Sequence, residues 1–436
     1  MSNVKTDITE QVLSIVGAAG LAPAADCARY AVDGIVPSFV IMPESAEQVS
    51  QVLAFANQAG LAVVPWGGGT AMGVGGAPRA VDIVLSMSRL AKVIDYSPED
   101  MTVTAQAGVT LAELQTLMAG HSQMLPLDPP LPERATVGGI LATNASGPLR
   151  YQYGMPRDFA LGTVVVYADG TVAKAGGRTV KNVAGYDMTR LHIGAYGTLG
   201  VIVEATFKVA PLPKVLVTAS GTFATLAAAI AAARALRMAR IVPWSLVIVP
   251  PATLPGLGDG YSVAVRLGGQ AVVVTPQLQR ALDTLKEAQG SNVAEVAKAE
   301  ETFWPGVRDW AGTVGGGDGV LVCIGVAPSQ TQTVLAAAQD IAARHGLKAA
   351  LLAFPGAATV YCHLSGAPES MMDAVAGMLA VVKEWNGNLV VERGPLALKQ
   401  RMTVWGSAGA DALTQRVKQT FDAKNVLNPG RFVGGL

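Results

Sequence analysis

The sequence predicts an α+β protein of more than one domain, and three observations carry that expectation. Its 436 residues exceed the roughly 100 to 200 that one core usually organises. Apolar periodicity switches repeatedly between that of a strand and that of a helix. The composition also changes after Pro211-Leu212-Pro213, where short β-rich runs between glycine loops give way to an Ala-rich helix and further strands.

Val40 to Met42 reads as an extended segment ended by Pro43, and Ser45 with Gln48 has the spacing of an S-x-x-Q capping box. Val49, Val52, Leu53 and Ala56 then recur at i, i+3, i+4 and i+7, the apolar stripe of a helix, with Gly60 placed as its left-handed C-terminal residue. Leu61 to Val64 reads as a buried strand running into Pro65, which completes a βαβ unit. The pattern recurs at Met101 to Ala107, an alternating strand, followed by a T-x-x-E cap (Thr110, Glu113) and a helix lined by Leu111, Leu114, Leu117 and Met118 and closed by Gly120.

Beyond Pro213 a helix is expected near Phe223 to Arg240 and a strand over Trp244 to Val249. Strands at Ser262 to Leu267, Val320 to Val326, Thr359 to Leu364 and Asn388 to Glu392 then alternate with amphipathic helices near Gln277 to Ala288, Gln330 to Arg344 and Glu369 to Trp385. Such alternation predicts a sheet with helices on one face. A last helix holding Leu413, Val417 and Phe421 precedes LNPGRF. The expected division is residues 1–212, 213–393 and a C-terminal segment 394–436.

Lys+Arg and Asp+Glu balance at 32 each, and only 15% of residues are charged, which argues against nucleic acid or a membrane surface as partner. The richest apolar stretch, Leu226 to Met238, is interrupted by Arg234 and Arg237, so no membrane span is expected. The opening MSNVKTDITE has neither the basic nor the apolar part of a secretory signal, and the expected compartment is the cytoplasm. Cys27, Cys323 and Cys362 are too few and too scattered for a disulfide framework or an iron–sulfur ligand set, so an iron–sulfur centre would have to sit on a partner. His121, His192, His345 and His363 never approach metal-ligand spacing, and no metal is expected.

Three glycine clusters hold the chemical interest. Pro65-Trp66-Gly67-Gly68-Gly69-Thr70 follows a strand, and three successive glycines allow positive φ angles, approach to a ligand without Cβ interference, and a nest of amide hydrogens around a pyrophosphate. It is not a Walker loop, since Val74 follows Gly68 to Gly73 where lysine is required, nor a Rossmann fingerprint, since Met72 replaces the third glycine. The second cluster runs from Thr136 to Gly147, a stretch of small and hydroxyl residues that can lie beneath a planar ligand. The third spans Gly176 to Asp187 and continues through Gly194 to Gly200 into a strand over Val201 to Lys208. Taken alone, each reads more readily as a tight turn; three within one βα-rich region predict a shared site.

PWGGGT, ATVGGILATNASGPLRYQYGMPRD, KNVAGYDMTRLHIGAYGTLGVIVEATF and NPGRF, in that order, resemble the vanillyl-alcohol-oxidase (PCMH-type) family of FAD-binding proteins over residues 33–212 and the tail. FWPGVRDW and GPLALKQRMTVWG further resemble the smaller FAD-binding subunit of bacterial glycolate oxidases. The resemblance implies a PCMH-type domain of two α/β subdomains, an α+β cap domain of antiparallel sheet plus helices, and a tail that returns to the flavin domain. It implies that Gly67, Gly68, Gly69 and Thr70 hold the FAD pyrophosphate, flanked by Pro65 and Trp66. Thr136, Gly138, Gly139, Ala142, Asn144, Ser146 and Gly147, with Pro129, would hold the pyrophosphate, ribityl chain and isoalloxazine edge. Gly197, Gly200 and Ile202 would line the adenine side, and Asn428 would close the site from the tail. No histidine stands between Pro65 and Gly76, so the flavin is expected to be non-covalent.

The implied chemistry is oxidation of glycolate or a related 2-hydroxy acid. Implied partners are a larger homologous FAD subunit and an iron–sulfur subunit. Arg150 and Arg157 are open between gripping a carboxylate and making structural ion pairs, His363 reads as a structural strand residue, and no catalytic base is assigned. Two other readings stand beside this one: an assembly scaffold for a larger catalytic subunit, and a stand-alone D-2-hydroxy-acid dehydrogenase.

Overall fold

The computed structural model describes residues 2–179, 185–251, 253–254, 258–314, 318–406 and 412–436, with residues 2–7 as backbone only. Its architecture is α+β, as expected. A three-stranded parallel sheet places Ile83–Ser86 between Phe39–Ile41 and Val63–Trp66. The anticipated βαβ strands are therefore parallel but not adjacent, the middle place being taken by a strand that the periodicity did not single out.

The connecting helix, Ala46–Ala59, forms as its caps dictate: the Ser45 side chain accepts from Gln48 N, and Gly60 closes it at φ 67°. The reciprocal bond falls one residue early, Glu44 N donating to Gln48 Oε1 at 2.9 Å. Val49, Val52, Leu53 and Ala56 are fully buried, so the whole stripe drives docking.

The second unit is a five-stranded antiparallel sheet in the order Val93–Ser97, Thr102–Gln106, Val201–Lys208, Ala160–Val166, Val172–Gly176. The second strand–helix pattern thus belongs to an antiparallel layer and does not repeat the parallel one. Its helix, Leu111–Ala119, carries both halves of the Thr110–Glu113 capping box. Leu117 is 40% exposed, because Leu111, Leu114 and Met118 already fill the inward arc of this short helix.

The larger sheet has eight antiparallel strands, ordered Ser291–Glu295, Val215–Phe223, Tyr261–Gly269, Ser245–Val249, Lys348–Phe354, Thr359–Ser365, Val320–Gly325, Asn388–Arg393. Helices Leu226–Met238, Ala271–Glu287, Thr331–Arg344 and Pro368–Glu384 cover one face in a single core. The opposite face is not bare, which corrects the one-sided expectation. Helix Phe303–Thr313 packs there through Trp304, Val307 and Trp310 against Leu321 and Leu352. That face looks toward the glycine clusters.

The tail helix, Ala412–Phe421, does not dock through Leu413, which is 58% exposed. Its anchor is Lys418, whose buried Nζ donates to Asp422 Oδ2 at 2.6 Å, Thr198 O at 2.9 Å and Leu427 O at 3.0 Å. The chain then runs beside the parallel sheet, Val63 N donating to Val426 O at 2.8 Å and Asn428 N to Val63 O at 2.9 Å. No helix of the described residues is long and apolar enough to cross a membrane.

Candidate functional site

Strand Val63–Trp66 delivers the chain to the first glycine loop. A Cβ on Gly67 would lie 2.2 Å from Thr136 Oγ1, and one on Gly68 would lie 1.6 Å from the Arg134 carbonyl oxygen. Only Gly69 of the three has a positive φ, +69°. The first two glycines are thus required by close approach of a second chain segment, not by left-handed backbone as the sequence suggested.

That second segment is the second cluster. It forms a short helix, Val137–Thr143, capped by Thr136 and ended by Asn144 in the left-handed region. The stretch of small and hydroxyl residues thus begins as a helix. Gly138 N donates to Ala107 O at 2.8 Å, and a Cβ on Gly138 would stand 2.7 Å from Ala107 Cβ, which presses the helix onto the antiparallel sheet.

The third cluster divides. Tyr196 N donates to Ala142 O at 2.8 Å, and Asn428 Nδ2 donates to Tyr196 O at 2.6 Å, so Gly194 to Gly200 joins the other two loops and the tail. Gly176 instead ends the hairpin strand Val172–Gly176, and Tyr186 is 93% exposed. Val180 to Ala184 lie outside the described residues.

Together these segments enclose one continuous cleft. One end is lined by Pro65, Trp66, Gly67, Thr136 and Gly138, with Gly200 and Ile202 facing them. The middle adds Gly68, Gly69, Thr70 and Asn428, while Gly139, Ala142 and Gly197 border both parts. The cleft then opens into a wider cavity of about 200 Å³ against the large sheet, lined from the glycine side by Thr70, Pro129, Asn144 and Ser146. Gly147 sits apart. It borders a small side cavity, where its N–H donates to Asp128 Oδ1 at 3.2 Å and a Cβ would meet Asp128 O at 1.9 Å.

Into the wide cavity project groups that the sequence reading largely missed. Tyr196 and Arg150 come from the glycine side; Cys323, Tyr361, Glu392 and Arg393 come from three adjacent strands of the large sheet. Burial pushes the Glu392 carboxyl up to about 7, against the opposing pull of Arg393 and a hydrogen bond from Cys323. Burial also raises Tyr196, Cys323 and Tyr361, which keeps thiol and phenols protonated. Arg393 is tied to backbone, donating to Ala311 O and to Gly312 O, the latter at 3.1 Å. Arg150 has no hydrogen bond or ion pair to its guanidinium among the described residues. Arg157 is exposed and lines no part of the cleft, and His363 lies outside it.

The cleft suits a dinucleotide on two structural grounds. Its floor is backbone and small side chains wherever Cβ atoms would collide, leaving room for an extended ligand. Two buried polar atoms on its walls also lack partners, Asn144 Oδ1 and Arg431 Nε. Arg431 donates to Met72 O at 2.6 Å and to Val74 O at 2.9 Å, beside Gly68 and Gly69, and forms no ion pair among the described residues. A buried cation without a carboxylate partner at a glycine loop is a place for a diphosphate.

Residues 37–176 match the FAD binding domain family, and residues 261–432 match the C-terminal domain of FAD-linked oxidases. The chain is 26% identical to glycolate oxidase subunit GlcD of Bacillus subtilis across 91% of this chain and 89% of that one. It is 28% identical to D-lactate dehydrogenase of Archaeoglobus fulgidus, covering 91% of each. It is also 42% identical to glycolate oxidase subunit GlcE of Escherichia coli, over 28% of this chain and 35% of that one. Among solved structures, p-cresol methylhydroxylase superposes with a TM-score of 0.78 at 18% identity, covering 98% of this chain and 96% of that one. The fold and the site define an FAD-binding oxidoreductase. The chain carries stretches that match both domains of the FAD-linked oxidases, and its fold is of the PCMH type.

Proposed function

We propose that this chain is the FAD-binding subunit of a glycolate-oxidase-like complex, oxidising glycolate or a related 2-hydroxy acid to the 2-oxo acid and passing electrons to an iron–sulfur partner. FAD-linked oxidation of 2-hydroxy acids is the activity that the named relatives support. On this reading Gly67, Gly68, Gly69 and Thr70 hold the pyrophosphate with Arg431 behind them, and Gly197, Gly200 and Ile202 flank the adenine. Thr136, Gly138, Gly139, Ala142, Asn144 and Ser146 follow the rest of the cofactor to its isoalloxazine end, with Gly147 fixing the loop through Asp128. The flavin is non-covalent and accepts the electrons of the substrate Cα–H bond. The chain works in the cytoplasm and meets a membrane only through partners.

One observation carries the substrate class: the unpaired Arg150 guanidinium faces the same cavity as Arg393, so two cations border the space where the flavin end of the cleft opens. A carboxylate there gains charge-assisted hydrogen bonds that neither cation otherwise makes to an acid. A second reading, an assembly scaffold whose turnover lies on a larger homologous subunit, is favoured by the lack of any histidine on the cavity wall among the described residues. Anaerobic mixing of the purified chain with glycolate or D-lactate separates them. Bleaching of the flavin band supports turnover on this chain; bleaching only when the partner subunits are added supports the scaffold.

A further inference from the structure

The outermost strand of the large sheet, Asn388–Arg393, is irregular at one place. Val391 stands opposite Val322 and Arg393 opposite Leu321, so Glu392 has no partner across the pair and forms a β-bulge. Leu389 and Val391 are fully buried in the helix-covered core, so alternation sends Glu392 to the other face, toward the cavity. Regular alternation would return Arg393 to the core. The extra residue turns it instead, and both Glu392 and Arg393 line the cavity wall. The bulge thus re-aims two charged neighbours toward one cavity, where Arg393 is held by the Ala311 and Gly312 carbonyls and Glu392 makes no ion pair among the described residues.

The geometry points to Glu392 as the base that takes the hydroxyl proton of the 2-hydroxy acid. This inference rests on the 2-hydroxy-acid reading above. Glu392 is the only carboxylate on the cavity wall among the described residues, and no histidine shares that wall. The charged or titratable groups facing it are Arg393 on its own strand, Cys323 and Tyr361 on the next two strands, and Arg150 and Tyr196 from the glycine side. Cys323 and the two tyrosines are held protonated, so they donate hydrogen bonds and do not compete for the proton. Burial sets the Glu392 carboxyl near 7, where a base is both available and strong enough at neutral pH.

In the step, the substrate O–H bond breaks and its proton passes to the Glu392 carboxylate. The oxygen's electron pair closes the C=O bond as the Cα hydrogen departs with its two electrons, for which FAD held by the glycine segments would be the acceptor. The substrate, having lost two electrons and two hydrogens, becomes the 2-oxo acid, and Glu392 returns its proton to solvent.

The test uses the flavin-loaded protein and oxalate, a non-reacting dianion. Calorimetric titration at pH 8 in two buffers of different ionisation enthalpy should show uptake of close to one proton per oxalate, because the bound anion drives Glu392 to protonate. Glu392→Gln should bind oxalate with no proton uptake and keep its full flavin content. With glycolate, its flavin should be reduced at least about 100-fold more slowly, and Glu392→Asp should fall between it and the wild type. Proton uptake that persists in Glu392→Gln, or oxalate binding to the wild type without uptake, would overturn the assignment. Failure of the wild type to bind oxalate at all would overturn the 2-hydroxy-acid reading, and this inference with it.

Discussion

Gly68 is the position where the cofactor site depends most sharply on a missing side chain. Its ideal Cβ would stand 1.6 Å from Arg134 O and 2.6 Å from Arg134 C, against an ordinary contact of 3.4 Å or more. Gly68→Ala must therefore open the gap between the first loop and the Arg134 segment by about 1.8 Å, and because both obstacles are backbone, no rotamer relieves it. The same gap is pinned from the other direction by Arg134 Nη2 donating to Gly68 O at 3.2 Å. Overpacking of this kind costs about 1–3 kcal/mol and more when backbone must move. If the loop yields by leaving its place in the cleft, about 3 kcal/mol of binding is lost, or roughly 100-fold in affinity. The assay is titration of the apoprotein with FAD, followed by flavin fluorescence, with circular dichroism to confirm the fold. Gly325→Ala, where nothing lies within 4 Å of the added Cβ, is the control that should bind normally. A Gly68→Ala protein that binds FAD within threefold of the wild type and melts at the same temperature would refute the reasoning.

Arg150→Met should raise the KM for a 2-hydroxy acid at least about tenfold while flavin content stays constant, as steady-state kinetics and the visible spectrum would show. Lys418→Met leaves the buried Asp422 carboxylate and two carbonyls without their cation; it should cost about 3–5 kcal/mol in denaturant unfolding and loosen flavin retention through the tail. His192 packs between Tyr167 and Phe421, 3% exposed and with both ring nitrogens unpartnered, and burial lowers its pKa from 6.5 to about 4. The folded state therefore favours the neutral ring. Its contribution is complete above about pH 6.5 and is lost as pH falls toward 4, on the order of 3 kcal/mol. Melting curves between pH 7 and 4 should show that loss, and His192→Phe should flatten it.

Much of the flavin side was legible because it is written in local chemistry. A Ser or Thr at a helix start, a glycine at its end and an apolar stripe between them each act within a few residues, and helix Ala46–Ala59 formed where those signals lay. The glycine runs marked a place of close backbone approach but not its partners: Gly67 and Gly68 are needed against Thr136 and Arg134, contacts that no local pattern reveals. Strand partners were not readable. The middle place of Ile83–Ser86 and the antiparallel pairing of Thr102–Gln106 are set by residues far apart in sequence. The cavity wall opposite the flavin was least accessible, since Cys323, Tyr361 and Glu392 are brought together only by strand pairing. VVERG offered one usable signal, two adjacent charged residues ending an apolar strand, where strict alternation cannot bury both. Arg431 was within a motif already noted, yet its role appears only once the tail is seen to fold back over Met72 and Val74.

The proposed cofactor site is a clasp of glycine-rich backbone from three segments around a non-covalent FAD. An absorption spectrum of the purified, flavin-loaded chain, repeated on the supernatant and pellet after acid precipitation, tests it most directly. The protein should be yellow and should release all of its colour, as FAD, into the supernatant. A chain that stays colourless after incubation with excess FAD, or one whose colour remains in the pellet, would contradict it.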